Sequence, residues 1–411
     1  MAKLAIQGGT PVRTERFVSW PLFDEREKTA LLTTLEARKW TSAPFSKGLP
    51  ADALEEQFAA YNGARYAIAT SSGTAALQIA FAAAGVREGD EVILAPDTFI
   101  AGATPILQLG AVPVFVDIEP ETLNVDPDAV EAAITERTRV LSPLHLAGYP
   151  YDVDRINDIA RRHGLKVVAD ACHAHGSEWK GKKVGSLADF SAFSFQQGKN
   201  MTAGEGGITT TNDRELYELC YTYHNDGRGF GENMGTYQEM GWNFRMSGFQ
   251  ASVLLVQLAR LDETLDRKAR SVAYLKRGLV EVEGLQFPRE DPRMTRLTYL
   301  YPRLKYDQAA FGGVSAELFA RALSAEGIPC GAEGEHLLYQ HPIFTEQRFF
   351  FASSKRIDYT QVRCPVAEAQ AGKSIMFSQT VLLSDQSALD DFVEAVNKVS
   401  ANLDELKSTG R

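Results

Sequence analysis

The chain has 411 residues, a formal net charge of -10, 44% hydrophobic and 23% charged residues, with a pI near 5.4. That length allows two domains with a substantial core, and the composition is ordinary for a globular enzyme. The acidic balance and the absence of a basic cluster exclude a polyanionic partner such as nucleic acid; four scattered cysteines (Cys172, Cys220, Cys330, Cys364) without CxxC pairing, no leader pattern and no long apolar run give the expectation of a cytoplasmic chain with no membrane contact.

In chain order, residues 1–50 carry Pro, Gly and Trp at irregular spacing with one helix expected over 24–38, and read as an arm wrapped on the body. A helix over 51–61 opens the core. It is followed by the β run RYAIATS and the helical pattern SSGTAALQIAFAAAG. Strand, glycine turn and helix N-terminus together form an anion site, because free N–H groups and the helix dipole point at the turn. Ser72, Gly73 and Thr74 are the candidates, although Ser-Gly-Thr before a helix is also ordinary capping chemistry.

Alternating units follow. EVILAP is a strand ending at Pro96, and a helix is expected over 99–109. VPVFVDI is a strand, PDAVEAAIT a helix opened by Asp126 or Pro127, RVLSPLHL a strand, DVDRINDIARRHG a helix and LKVVADA a strand. Such alternation implies a mostly parallel sheet covered by helices, with ligands at the carboxyl ends of its strands. The Ser72 turn, Pro96 with Phe99, and Asp170 all fall at those ends. Residues 192–195 and GGITTT read as neighbouring β segments, and 213–223 as a helix. The stretch 224–247 holds five glycines and little periodicity, which marks a long functional loop. Helical periodicity then runs over 247–282 with a break expected near 262–266, where the chain leaves the large unit. TYLYPRLKY, SAELFARALSAEG and a last helix over 386–406 make a smaller α+β unit. The expected domains are therefore 1–50 (arm), 51–265 (large) and 266–411 (small).

The run from Val167 to Gly207 carries the chemistry. Asp170 closes an apolar run, Lys199 stands 29 residues later in a polar, glycine-flanked setting, and Ser194 lies five residues before the lysine. A lysine amine can hold an aldehyde cofactor as a Schiff base. Pyridoxal 5'-phosphate (PLP) further needs a carboxylate to keep its ring nitrogen protonated. Each residue alone reads equally as a surface lysine or a strand-ending aspartate. Cys172, His173, His175 and His145 also suggest a metal site, but one Cys-His-x-His run without a second spaced pair argues against it, and no metal is expected.

The runs SSGTAAL at 71, SFQQGKNMTAGEGG at 194 and GWNFRMSGFQA at 241 give a resemblance over nearly the whole chain. The sequence resembles the DegT/DnrJ/EryC1/StrS family of PLP-dependent aminotransferases, and its lysine run is most similar to the cyclitol and aminoshikimate-type members. Sugar-nucleotide members more often have His-Pro where Gln196 and Gln197 stand here. The resemblance implies fold type I and a homodimer with shared active sites. It further implies ping-pong transfer of nitrogen from L-glutamine or L-glutamate, through a pyridoxamine phosphate form, to a cyclic ketone such as an inosose or a keto-sugar. By the same resemblance Lys199 is the Schiff-base lysine, and a lysine here, where related dehydratases have histidine, favours transamination. Asp170 pairs with the ring nitrogen, His173 and Phe99 cover the two ring faces, and Ser72, Gly73, Thr74 and Ser194 take the phosphate. Asn243 would reach the neighbouring subunit's phosphate. Phe99 reads equally as a core phenylalanine, and Asn243 as a turn residue. Arg245 is open between substrate and structure, and Tyr223, Arg228 and Tyr339 are candidates for the acceptor pocket. Glu205 reads as part of a turn behind the lysine. The rival readings are dehydration and aromatisation toward an aminobenzoate, a nucleotide-linked keto-sugar acceptor, and a protein of this fold that binds without turnover.

Overall fold

The computed structural model describes residues 3–42, 48–334 and 336–409. Its centre is a seven-stranded sheet of β1 (Tyr66–Thr70), β2 (Glu91–Leu94), β3 (Val112–Phe115), β4 (Thr138–Leu141), β5 (Lys166–Asp170), β6 (Phe190–Ser194) and β7 (Gly207–Thr211), in the order β1-β7-β6-β5-β4-β2-β3. Only β7 runs against the rest, pairing antiparallel with both β1 and β6.

Period-two alternation sends neighbouring side chains to opposite faces of these strands. Ile68, Phe190 and Ala192 enter one buried cluster with α3 (Gly73–Ala83); Ala67, Ala69 and Phe193 enter another with α2 (Pro50–Asn62) and the first half of α6 (Gly248–Gly278). The sheet is therefore apolar on both faces, as a helix-covered parallel sheet must be. Both α3 and α4 (Val153–His163) start at serine or aspartate caps, Ser72 and Asp152, whose side chains accept backbone N–H bonds. The helix α5 (Arg214–His224) packs against α3. An earlier helix, α1 (Glu25–Ala37), opens with a capping box at Asp24 and lies along α6.

A second sheet, antiparallel throughout, has the order β8-β9-β11-β10, from β8 (Leu285–Gln286), β9 (Arg303–Tyr306), β10 (Cys330–Ala332) and β11 (Ser374–Phe377). It carries α7 (Ala316–Ala325) and α8 (Gln386–Ser400). Among the described residues no helix is long and apolar enough to cross a membrane.

Several segments differ from expectation: the strand expected over RVLSPLHL ends at Leu141, the helix that starts at Gln386 ends at Ser400, and three more have the following causes. α6 runs unbroken through 262–266, because Asp262, Glu263 and Asp266 lie on its solvent side while Leu261 and Leu265 stay buried. Asp262 and Asp266 pair with Arg296 at 2.7 and 2.6 Å, so the acidic cluster is a solvated face and not a helix end. The stretch 99–109 is a 3-10 turn (Ile100–Gly102) and a short helix (Thr104–Gln108), since Pro105 has no N–H to continue the first turn and suits the start of a new one. In TYLYPRLKY only Arg303–Tyr306 is strand, and Tyr299 (φ 47°) and Tyr301 (φ 48°) take left-handed conformations instead.

Candidate functional site

The carboxyl end of β5 places Asp170. Its backbone N–H donates to Pro143 at 2.9 Å and its carbonyl accepts from His145 at 3.0 Å, so the strand end is fixed by the neighbouring segment. The residue is 8% exposed and its carboxylate accepts from the Cys172 amide at 3.0 Å. Burial pushes its pKa up, opposed by the Cys172 bond and by the charge of Lys199. A cation placed against it would favour the ionised form.

Next to β5, β6 ends in Ser194. The first turn of α3 comes so close that a Cβ on Gly73 would sit 2.6 Å from the Ser194 Cβ. Glycine is required there by contact, since Gly73 is ordinary helical backbone. Ser72 caps the helix through Ala75 at 3.1 Å, which leaves the Gly73 and Thr74 amides among the first-turn donors that no helical carbonyl satisfies. Hydroxyl, glycine and helix dipole together form a cradle that fits a phosphate.

Between β6 and β7 the chain makes a hairpin whose far end carries Lys199. Phe195 and Gln197 donate to Gly206 and Gly204 at 2.8 and 2.9 Å, and the Glu205 carbonyl accepts from Gln250 in α6 at 2.9 Å, so Glu205 belongs to the turn. The Lys199 amine lies 5.4 Å from the ring centre of Tyr301. Tyr301 also meets His173 edge-on at 5.5 Å, and a Cβ on Gly198 would fall 2.6 Å from the tyrosine oxygen. His173 accepts from the Ala147 amide at 3.3 Å on Nδ1. Burial first, then the positive charges of Lys199 and Arg303, hold its pKa well below the ordinary value, so the ring is neutral. Trp20 of the arm donates to the Gln197 carbonyl at 2.6 Å, closing the outside of the hairpin.

Lys199, Asp170, His173, Ser194, Ser72, Gly73 and Thr74 thus lie at the carboxyl end of adjoining strands. Phe99 follows β2 on the same edge and is 71% exposed, so it is not a core residue of this chain. Asn243 is exposed as well, and its backbone bridges to Asn225, while Phe244 and Arg245 bond to Ser71 and Thr70 beside the cradle. Arg245 donates to Asn225 and Asp226 at 2.8 and 2.5 Å, which gives it a structural task at the base of the loop. Two acceptor-pocket candidates turn out to be packing residues. Tyr223 is buried and accepts from Arg87, and Tyr339 is buried in a cluster with Phe115 and donates to Glu368 at 2.6 Å. Arg228 reaches Tyr237 within the long loop. Cys172, His173, His175 and His145 do not converge, and no group of three potential ligands with metal geometry occurs among the described residues.

Sequence reasoning missed two residues that face this pocket. Tyr301 lay in a run that reads as strand, and nothing in TYLYP announces a positive φ. Arg303 is buried between Asp97 and Glu333 at 3.2 and 2.7 Å, close enough to depress His173. The signal for it was an arginine at an inward position of a short strand.

The model of the DegT/DnrJ/EryC1/StrS aminotransferase family matches residues 22–396. The chain belongs to that family. It is therefore a transaminase of the PLP-dependent class, on a fold-type I scaffold. It is 37% identical to an L-glutamine:2-deoxy-scyllo-inosose aminotransferase of Streptoalloteichus tenebrarius, over 98% of this chain and 99% of that protein. Among solved structures, 3-amino-5-hydroxybenzoic acid synthase superposes with a TM-score of 0.86 at 33% identity, covering 95% of this chain and all of the other. A sugar aminotransferase from Streptococcus pneumoniae, in its PMP form, gives 0.81 at 26% identity, covering 95% and 100%.

Proposed function

We propose that this transaminase holds PLP on Lys199 and moves nitrogen from L-glutamine to an unmodified cyclitol ketone of the inosose kind. The observation that carries the cofactor reading is the convergence of an amine, a buried carboxyl held by Cys172, and a glycine-lined helix N-terminus on adjoining strands. Bound PLP would supply an electron sink for negative charge at the substrate Cα. Lys199 would hold the aldehyde and, once displaced, take and return the Cα proton. Asp170 would keep the ring nitrogen protonated; that cation is what its raised pKa calls for. His173, neutral, would press on one ring face and Phe99 on the other. Ser194, Ser72 and the Gly73 and Thr74 amides would bind the phosphate, joined by Asn243 of a partner subunit in a homodimer. Three of the four cysteines are buried and all four are free, which supports a reducing compartment such as the cytoplasm. We place the arm at 1–50, the large domain at 51–265 and the small domain at 266–411, with α6 carrying the chain across the second limit without a break.

The acceptor reading rests on charge. Arg303, the buried arginine whose charge reaches His173, is already balanced by Asp97 and Glu333. A diphosphate is ordinarily met by arginine or lysine that is not already engaged. A hydroxyl-rich ring, with or without an amino group, suits this acidic setting better. The 37% identity to an inosose aminotransferase points the same way. The second reading, formation of an aminobenzoate, draws on the likeness to 3-amino-5-hydroxybenzoic acid synthase.

The test is in two halves. Glutamine should discharge the visible cofactor band faster than alanine or aspartate does. A keto-cyclitol should then restore the band better than a nucleotide-linked keto-sugar. Preference for the nucleotide sugar, or release of an aromatic amine from a dehydroshikimate-like substrate, would overturn the acceptor and leave the cofactor reading intact.

A further inference from the structure

The long helix α6 buries a lysine. Leu261, Leu265, Lys268, Val272 and Leu275 follow one inward stripe, and Lys268 is 0% exposed among them. Burying an ammonium costs free energy unless it is well hydrogen-bonded. Lys268 donates to two side-chain carbonyls, those of Asn200 and Gln379. Burial alone pushes its pKa down, to about 7, and no carboxylate contributes.

The two acceptors are what give this lysine meaning. Asn200 follows Lys199 directly, and its amide donates onward to the Thr298 carbonyl at 3.3 Å. The Thr298 hydroxyl donates to the His173 carbonyl at 3.1 Å. Gln379, just after β11, donates to the carbonyl of Gly198, the residue before Lys199, at 3.0 Å. Ser271, one turn further along α6, donates to Leu382 at 2.7 Å and fixes the short helix Gln379–Leu382. The amine of Lys268 is thus the common donor of two branches. One grips Lys199 from behind and continues to the His173 turn. The other ties the residue before Lys199 to the four-stranded sheet. Thr298 also opens the stretch in which Tyr299 and Tyr301 stand at positive φ, conformations that persist only when their surroundings hold them.

We propose that Lys268 is a positioning residue: through Asn200 and Gln379 it sets the place of the Lys199 hairpin against the His173 turn and joins that hairpin to the second sheet. The proposal rests on the reading of Lys199 as the cofactor lysine only for its consequence in the loaded enzyme. The bracing itself is a property of the chain.

Lys268→Met keeps the length and apolar stem and removes both donors; Gln379→Leu cuts one branch. In protein stripped of cofactor, amide exchange of Gln197, Lys199 and Ala203 should speed up about tenfold in Lys268→Met and less in Gln379→Leu, with α3 amides unchanged. After reconstitution with PLP, retention should weaken about tenfold, and the circular dichroism of the visible band should diminish because the ring is held less firmly. The double variant should be no worse than Lys268→Met, since both substitutions act on one network. A folded Lys268→Met with wild-type exchange in the hairpin overturns the proposal, as do losses that add in the double variant. If Lys268→Met does not fold, Gln379→Leu decides: unchanged hairpin exchange and band overturn the idea. A wild-type protein that takes up no PLP on Lys199 refutes the cofactor reading instead, and the exchange measurement still judges the brace.

Discussion

At the Ser194 end of the pocket the chain works with backbone. Ser72, Gly73 and Thr74 are consecutive, and a helix start meets a strand end at a contact that admits no Cβ. Behind Lys199 it works with side chains from segments far apart in sequence, namely Lys268 from a helix interior, Gln379 from the short helix after β11 and Tyr301 from a left-handed turn. The first construction needs one short stretch of correct sequence. The second needs the whole fold before any of its parts touch. Damage to the cradle should therefore show in anion binding alone, whereas damage behind the lysine should spread across both sheets.

The largest effect separates chemistry from either construction. Lys199→Ala should remove cofactor colour and lower turnover by roughly 10³-fold or more, with the fold intact by circular dichroism. Borohydride should fix PLP to the wild-type peptide containing Lys199, and a variant that keeps the visible band would refute the assignment.

Asn243→Ala tests whether the cradle is finished by another chain. Loss of one hydrogen bond to a charged phosphate should cost about 1.5–3 kcal/mol in PLP retention. Mixing this variant with Lys199→Ala after dissociation and reassociation gives heterodimers in which one site carries both lesions and the other neither. Activity should rise above that of either parent. Because the Asn243 segment is stitched to Ser71 of its own chain, absence of recovery in proven heterodimers would assign Asn243 to its own subunit's site.

Tyr301 sharpens the side-chain half of the comparison. Removing the ring in Tyr301→Ala forfeits a cation–π contact worth about 0.5–2 kcal/mol, read as weaker PLP retention. Tyr301→Phe keeps the ring and should stay within about twofold of wild type on the same argument. Equal losses in the two would move the role from the ring to the hydroxyl.

The effect that is smallest at neutral pH, where it vanishes, belongs to His145. His145 is buried, stacked 4.4 Å from Tyr151, with both ring nitrogens unpartnered, and burial lowers its pKa to about 3. Above its unfolded value near 6.5 neither state is protonated. Between 6.5 and 3 the unfolded chain takes a proton that the native chain refuses, so stability falls with pH by up to about 1.4 kcal/mol per unit. His145→Phe should match wild type in thermal unfolding at pH 7.5 and outlast it at pH 5. Parallel acid limbs would show that His145 does not titrate this way.

The same comparison explains what the sequence disclosed. Strand and helix periods, the Ser72 and Asp126 caps and the Asp170 strand end are local facts and stand in the structure, whereas VPVFVDI is strand only over Val112–Phe115 and RVLSPLHL only over Thr138–Leu141. The uninterrupted α6 was hidden because Asp262 and Asp266 read as a break, when their partner Arg296 is thirty or more residues away. Tyr223 and Tyr339 looked like pocket tyrosines because an aromatic hydroxyl carries no label for its partner; Arg87 and Glu368 settle it. One long-range feature did leave a trace, in that Lys268 interrupts an otherwise apolar stripe.

The placement of β7 has a consequence for how this family of sequences can vary. β2, β4 and β5 each leave the carboxyl edge of the sheet through a crossover, where added residues are absorbed by a loop. The connection bearing Lys199 instead joins two adjacent antiparallel strands, held by the bonds of Phe195 to Gly206 and Gln197 to Gly204. An insertion of one residue between 195 and 206 would either bulge the hairpin or slip β7 against both neighbours, turning Ile208 out of its buried face. Gly206 would then move into the place of Gly207, and its own position, at φ 145° and with the Met246 methyl 3.1 Å from an added Cβ, would be taken by Glu205 or the inserted residue. The spacing from Ser194 to Gly207 is therefore a ruler, and its length is as constrained as any residue written on it.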